Sequence, residues 1–521
     1  MRRGKPLAIK PDAWSRMLRC VLGAALLLAC CPALPATVQL RVMETTDLHM
    51  HLMGYDYYRD EVSVTAGLTR TAGLIAAARK EAANSVLVDN GDLLQGNPMG
   101  DYAARGRVLR FGETHPAFKA MNLLGYDVGN VGNHDFNYGL DYLVKALHGA
   151  NFPYVSANVV VADPDDDDSN DQPYFRPWVI LGKTVVDDSG GRHRLNIGYI
   201  GFVPPQIMDW DRDKLSGLIE TKDIVDTARR YVPEMRAHGA DIVIAMAHSG
   251  MYDNARRGMD ENAVYYLAKV HGIDAILFGH SHRVFPGDEL FDGFPGVDNQ
   301  RGTVFGIPAV MPGFWGSHLG VVDLRLRLED GAWRVAGGHA EARPIYRREH
   351  GKATPLVEPV RAIANAVRDD HAATRAYMDK TVGATATAIN SYFALIEDAP
   401  SVQLVNNAQL WYARQILRGT PYAGLPLLSA ASPFRAGGNA GVDNYTDVPA
   451  GAIALRNVAD LYIYPNDLKI VLLTGRQVRA WLEKSAEVFN TIDPHSSRAQ
   501  WLVNEKTPAY NFDVIDGVTY E

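Results

Sequence analysis

Five short stretches of this chain end an apolar run of strand length with a side chain able to hold a metal ion. They are Asp47-Leu48-His49, Gly91-Asp92, Asn133-His134-Asp135, His248-Ser249-Gly250 and Gly279-His280-Ser281-His282. The candidate ligands are therefore Asp47, His49, Asp92, Asn133, His248, His280 and His282. Nitrogen and oxygen donors without a thiolate suit two hard or borderline divalent ions, such as Zn²⁺, Mn²⁺, Co²⁺ or Fe²⁺. Asp92, between a buried strand and a Gly-containing turn, sits where a carboxylate can bridge two cations. Such a pair would clamp a phosphoryl group, lower the pKa of a bridging water and stabilise in-line displacement. His134 faces whatever is bound there, and Asp135 would hold its imidazole in one orientation and keep it protonated. His51 extends the first stretch to Asp-x-His-x-His, but at i+4 on an irregular loop it need not face the site and is left out. Any one of these histidines alone reads as a hydrogen-bonded structural residue; five elements, each at a strand exit, read as a site.

The runs that must position these residues alternate with amphipathic stretches at 68–84, 138–147 and 224–238, which read as helices. Alternation of this kind makes an α/β architecture with its site at strand ends. Further strands are expected at 154–161, 195–202, 304–310, 319–328 and 333–343, and one long helix at 355–378 as a connector and possible hinge. The acidic run 163–168 lacks the alternate ligands and Gly turn of a calcium loop and reads as a solvated surface loop.

With 521 residues, 47% hydrophobic and 21% charged, the chain is long enough for two or more domains with sizeable cores. Residues 1–36 carry a basic start, the apolar run 21–29 and Leu34-Pro35-Ala36, the pattern of a signal peptide rather than a membrane span. Leu27-Leu28-Ala29-Cys30 offers a competing lipoprotein pattern that would keep Cys30 as a lipid anchor; the site at Ala36, just ahead of the first strand, is preferred. Cys20, Cys30 and Cys31 all fall in this leader, so the mature chain would have no disulfide. Removing the leader shifts the formal charge from −8 to −13, which disfavours polymeric nucleic acid and anionic membrane surfaces as partners. The division expected is 1–36 signal peptide, 37–350 metal-binding domain, 351–385 linker helix and 386–521 C-terminal domain.

Asp47-Leu48-His49, Gly91-Asp92, Gly132-Asn133-His134-Asp135, His248 and Gly279-His280-Ser281-His282 resemble the five motifs of the calcineurin-like metallophosphoesterases. Met43-Glu44-Thr45-Thr46 before the first motif and Phe136-Asn137-Tyr138-Gly139-Leu140-Asp141-Tyr142 after the third narrow the likeness to the exported 5′-nucleotidase family. Within it, the likeness is to the branch of bacterial periplasmic 2′,3′-cyclic-nucleotide 2′-phosphodiesterase/3′-nucleotidases. The segments Asn406-Asn407-Ala408-Gln409 and Tyr462-Ile463-Tyr464-Pro465-Asn466 agree with it. The resemblance implies a β-sandwich flanked by helices, with Asp47, His49 and His282 on one metal, Asn133, His248 and His280 on the other and Asp92 bridging. It also implies a periplasmic enzyme that opens 2′,3′-cyclic nucleotides to 3′-nucleotides and then releases phosphate, through a hydroxide activated by two metals. His134, with Asp135, would assist the leaving oxygen. Tyr464 would be one of two rings that sandwich the base, and Arg435 would meet phosphate or ribose. The second ring is expected beyond residue 521, so the C-terminal domain reads as incomplete. A 5′-nucleotidase or nucleotide-sugar hydrolase, and a non-catalytic nucleotide-binding protein, remain as alternatives. Small nucleotides are the partners implied, and no protein partner is.

Overall fold

The computed structural model describes residues 36–520, apart from 108, 111, 166, 168, 169, 438–443, 464, 465, 505 and 506. The leader with Cys30, part of the acidic run and Tyr464 lie outside the described residues.

Two sheets face each other. In the first, β1 (Thr37–Thr45), β2 (Ser85–Asp89), β3 (Val128–Asn130) and β4 (Tyr154–Val155) run parallel in that order. In the second, β5 (Trp178–Val186) pairs antiparallel with β6 (Arg192–Phe202), and β6, β7 (Ile242–Ala247), β8 (Ala275–Phe278) and β9 (Ile307–Pro312) are parallel neighbours. The first sheet is completed by β10 (His318–Glu329) and β11 (Ala332–Pro344), antiparallel beyond β1.

The two-residue period of a strand explains the layering. Val38, Leu40 and Val42 of β1, Val86 and Val88 of β2, and Ile242, Ile244 and Met246 of β7 share one buried layer between the sheets. The alternate residues Met43 and Leu87 join a second core under α1 (Leu68–Glu81), α2 (Pro116–Leu124) and α3 (Leu140–Leu147). Val243, Ala245 and Ala247 join a third core under α4 (Ile224–Ala237). Helix, sheet, sheet and helix therefore stack in four layers. Strands buried on both faces read as unbroken apolar runs, which is why their ends stood out.

Two asparagines fasten the sheets where the parallel strands end. Asn90 Nδ2 donates to the carbonyls of Ala247 (3.1 Å) and Leu277 (3.2 Å), and Asn130 Nδ2 donates to Asn90 Oδ1 (3.0 Å) and to Phe202 O (2.9 Å). Both are fully buried.

Three expected elements divide. Residues 304–310 are not one strand: Phe305 and Gly306, both with positive φ, make a two-residue turn between Thr303–Val304 and β9. The stretch 154–161 splits into β4 and a separate strand, Val159–Val161, that pairs with Ile219–Thr221. The connector is two helices, α5 (Arg361–Ala366) and α6 (Arg368–Met378). Pro359 disfavours helix at Glu358 and delays the start, and the break falls at Val367, which is buried in the α1–α3 core. The C-terminal segment is built on α7 (Pro400–Leu417), packed with Ala394, Ala399 and Ala431. It meets the sandwich through ion pairs such as Arg456–Asp60 at 3.2 Å.

Candidate metal centre

All seven candidate ligands sit just past the C-terminal ends of β1, β2, β3, β7 and β8. Five of them, Asp47, His49, Asp92, His280 and His282, have φ between 45° and 71°. That left-handed backbone costs a residue with a Cβ roughly 1 kcal/mol or more and gathers at functional sites. Glycines make room beside them. A Cβ on Gly132 would stand 2.3 Å from Asp92 Oδ1, and one on Gly279 would stand 2.6 Å from Asp47 Oδ2.

The donors converge as two triads, Asp47–His49–His282 and Asp92–His248–His280, the ligand atoms within each lying no more than 4.8 Å apart. His248 Nε2 lies 3.0 Å from Asp92 Oδ2 within the second triad, and His49 Nε2 of the first lies 3.7 Å from the same oxygen, so Asp92 links the two. Each carboxylate has one oxygen committed. Asp47 Oδ2 accepts from Thr46 Oγ1 (2.7 Å) and the His280 amide (3.2 Å), and Asp92 Oδ1 accepts from the His134 amide (2.7 Å). The other oxygens, Asp47 Oδ1 and Asp92 Oδ2, are buried and face the centre, with His282 Nε2 3.2 Å from the first and His248 Nε2 3.0 Å from the second. Buried carboxylate oxygens and imidazole nitrogens converging in this way are a donor set that a cation fits. The histidines are oriented from behind: His49 Nδ1 lies 2.7 Å from Gln95 O, and His248 Nδ1 lies 2.9 Å from Asn90 O. Each contact leaves Nε2 to face the centre.

The electrostatics agree. Burial alone would raise Asp47, but His248 and His282 bring it down to about 2. Burial alone would lower His248, but Asp92 and Asp47 carry it up to about 10. Burial and the charges of His282 and His134 bring His49 down to about 4 against the pull of Asp92.

His134 and Asn133 share the short turn Asn133–Phe136 after β3. The expected pairing of His134 with Asp135 is absent. Asp135 turns away and accepts four backbone amides, from Asp92 (3.1 Å), Leu93 (2.9 Å), Leu94 (2.9 Å) and Gly132 (2.8 Å). With two amides on each oxygen, the Asp135 carboxylate is fully used by the backbone. Burial and Asp92 still push the Asp135 carboxyl up to about 6. The partner of His134 Nδ1 is instead Asn137 Oδ1, at 2.7 Å. Asn133 Oδ1 lies 2.8 Å from His280 Nδ1, and Glu261 Oε1 lies 2.7 Å from His280 Nε2. Neither Asn137 nor Glu261 was singled out from sequence; Asn137, in the Asn-His-Asp-Phe-Asn string, was the discoverable one. His51 stacks on Trp315 with centroids 4.4 Å apart and belongs to neither triad.

A cavity of about 460 Å³ opens over the centre, lined by Asn133, His134 and His280 and, from the C-terminal segment, by Asn466 and Asp467. Arg435 is not among its lining residues; its guanidinium meets Asp460 at 3.0 Å and lies 5.2 Å over the ring of Tyr58.

The calcineurin-like phosphoesterase profile matches residues 40–284, and the 5′-nucleotidase C-terminal domain profile matches residues 381–521. A 2′,3′-cyclic-nucleotide 2′-phosphodiesterase/3′-nucleotidase of Salmonella typhimurium is 52% identical over 490 residues, covering 93% of this chain and 74% of that protein. The chain belongs to the calcineurin-like phosphoesterases. Among solved members of this family, the calcineurin-like phosphoesterase YfkN from Bacillus subtilis is 43% identical, with a TM-score of 0.61 over 66% of this chain and 99% of that one. A putative 5′-nucleotidase from Staphylococcus aureus, 20% identical, shares the fold with a TM-score of 0.66 over 92% of this chain and 82% of that one. Among the described residues, no helix of this phosphoesterase is long and apolar enough to cross a membrane.

Proposed function

We propose that this phosphoesterase hydrolyses 2′,3′-cyclic nucleotides to 3′-nucleotides and 3′-nucleotides to nucleoside and phosphate. The observation that carries the reading is the pair of triads linked through Asp92, beneath a cavity sized for a small ligand. Asp47, His49 and His282 would hold one divalent ion, Asn133, His248 and His280 the other, and Asp92 both. When bound, two such ions supply Lewis acidity and an activated water for in-line attack on phosphorus. The chain's own residues do the rest. His134, on the cavity wall, donates a proton to the departing ribose oxygen through the ring nitrogen that Asn137 does not occupy. Asn466 and Asp467 bring the C-terminal segment to the cavity, and Tyr464, by its motif, would be a ring that stacks on the base and tolerates any base. The leader pattern of residues 1–36 supports export to the periplasm, which N-terminal sequencing of the mature protein tests.

The deciding experiment uses protein with added Mn²⁺ or Co²⁺, assayed for phosphate release from 3′-AMP and 5′-AMP and for ring opening of 2′,3′-cyclic AMP. Turnover of 3′-AMP and the cyclic substrate, lost in His134→Ala, is expected. Preference for 5′-AMP would establish the 5′-nucleotidase alternative. Bound metal without turnover of any nucleotide would sink both readings.

A further inference from the structure

His134 has a neighbour of its neighbour that the proposed chemistry has not used. Asn137 Nδ2 donates to Asp211 Oδ2 at 2.7 Å, and Lys214 Nζ donates to the other oxygen, Oδ1, at 2.8 Å. Asp211 is 4% exposed and sits between two short helices, Ile207–Trp210 and Arg212–Leu215. All of these side chains line the cavity above the metal centre.

The chemistry of the donors dictates an order. A carboxylate only accepts, so the Asn137 amide can face Asp211 only through its NH₂ group. Its carbonyl oxygen is then left toward His134 Nδ1, and an oxygen there also only accepts. Nδ1 must therefore carry a hydrogen, and Nε2 is the nitrogen left for the substrate. Turned by half a rotation, Asn137 would set its carbonyl against the carboxylate and its NH₂ against the imidazole, and the order would be lost. We infer that Asp211 is a positioning residue: through Asn137 it keeps one hydrogen on Nδ1 of His134, so that Nε2 is the nitrogen that carries the second proton of the imidazolium to the leaving group. The inference rests on the proposed role of His134. A buried carboxylate with both oxygens satisfied, one by Asn137 and the other by Lys214, is what such a role requires. Lys214 also stands 4.0 Å from Asp467 of the C-terminal segment, so the relay ends at the boundary between the two parts of the chain.

The test compares Asp211→Ala with the parent, loaded with Mn²⁺, on 3′-AMP and on 4-nitrophenyl phosphate. The nitrophenolate leaves without a proton, whereas the ribose oxygen needs one. The expected result is a fall of about tenfold or more in kcat on 3′-AMP, with less than a twofold change on the aryl ester. The Asn137→Asp/Asp211→Asn double variant exchanges amide and carboxylate while keeping an acceptor for His134, and is expected to recover 3′-AMP turnover to within about threefold of the parent. Nitrogen NMR of zinc-loaded, ¹⁵N-histidine-labelled protein gives a readout apart from turnover. The neutral His134 ring, its signal assigned by its loss in His134→Gln, should keep its hydrogen on Nδ1 in the parent and lose that bias in Asp211→Ala. Equal losses on both substrates, or an unchanged Nδ1–H signal in Asp211→Ala, would overturn the inference. Full 3′-AMP turnover in His134→Ala would overturn the proposed mechanism instead, while the NMR result still decides the role of Asp211.

Discussion

Asp135→Asn separates the structural account of this residue from a direct catalytic one. The Asp135 side chain is 2% exposed and takes four backbone amides, two on each oxygen: Leu93 and Leu94 on Oδ1, Asp92 and Gly132 on Oδ2. The loop after β2, which carries Asp92, is thereby tied to the loop after β3, which carries Asn133. The substitution changes almost no volume but replaces one oxygen with an NH₂ group that faces two N–H donors. Two hydrogen bonds are lost and two buried donors are orphaned, at a cost of about 1–2 kcal/mol each, or about 2–4 kcal/mol together. For a domain of about 300 residues, that lowers Tm by about 3–6 °C. The assay is thermal unfolding of metal-loaded protein followed by circular dichroism, with metal content measured in parallel. Both Tm and bound metal should fall, since the two tied loops present ligands. A variant that melts within about 1 °C of the parent and keeps its metal, yet loses turnover, would refute the reasoning and return Asp135 to the proton-transfer role.

Chelation tests the inward-facing atoms Asp47 Oδ1, Asp92 Oδ2 and His248 Nε2. An ion at a thousandfold excess over its Kd adds about 4 kcal/mol, so Tm should drop by several degrees on chelation and return with Mn²⁺; an unchanged Tm would count against the site. In Gly132→Ala the new Cβ would meet Asp92 Oδ1 at 2.3 Å and His248 Cε1 at 2.8 Å. Elemental analysis should show fewer ions per chain than in the parent, and equal content would show that the clash is relieved elsewhere. His115 is buried at the start of α2, with Nδ1 accepting from the Ala117 amide and Nε2 at 3.0 Å from Tyr142 Oη, and burial lowers it to about 3. Because that lies below the unfolded value of about 6.5, its stabilisation is complete above pH 6.5 and is lost as pH falls from there toward 3, by up to about 1.4 kcal/mol per pH unit. His115→Asn keeps an acceptor for the cap and should flatten the loss measured by urea unfolding between pH 7.5 and 5; parallel curves would contradict this.

The metal ligands were legible because each follows a strand-length run, alternating at 38–42 and apolar or mostly apolar in the others, that ends in turn residues. Their left-handed backbones were not, since nothing in an Asp or His announces positive φ. The neighbours of His134 were misassigned for a different reason. Adjacent residues in a tight turn point apart, so Asp135 finds amides from another loop while Asn137, three residues on, returns to the imidazole. Asp211 and Glu261 reach the site across long stretches of chain and were invisible to spacing. The connector showed its helical period but not its break, because Val367 is fixed by a core that forms only in the folded molecule.

The seam between the sheets has a mechanical consequence. Asp47, His49, Asp92 and Asn133 hang from one sheet, and His248, His280 and His282 from the other, so each triad reaches across the gap. Every ion held there would act as a rivet between two plates that otherwise share, at this rim, the grip of Asn90 and Asn130. Losing the ions would let the plates part from the rim inward, and amide hydrogen exchange in the metal-free protein should quicken first at the ends of β2, β7 and β8.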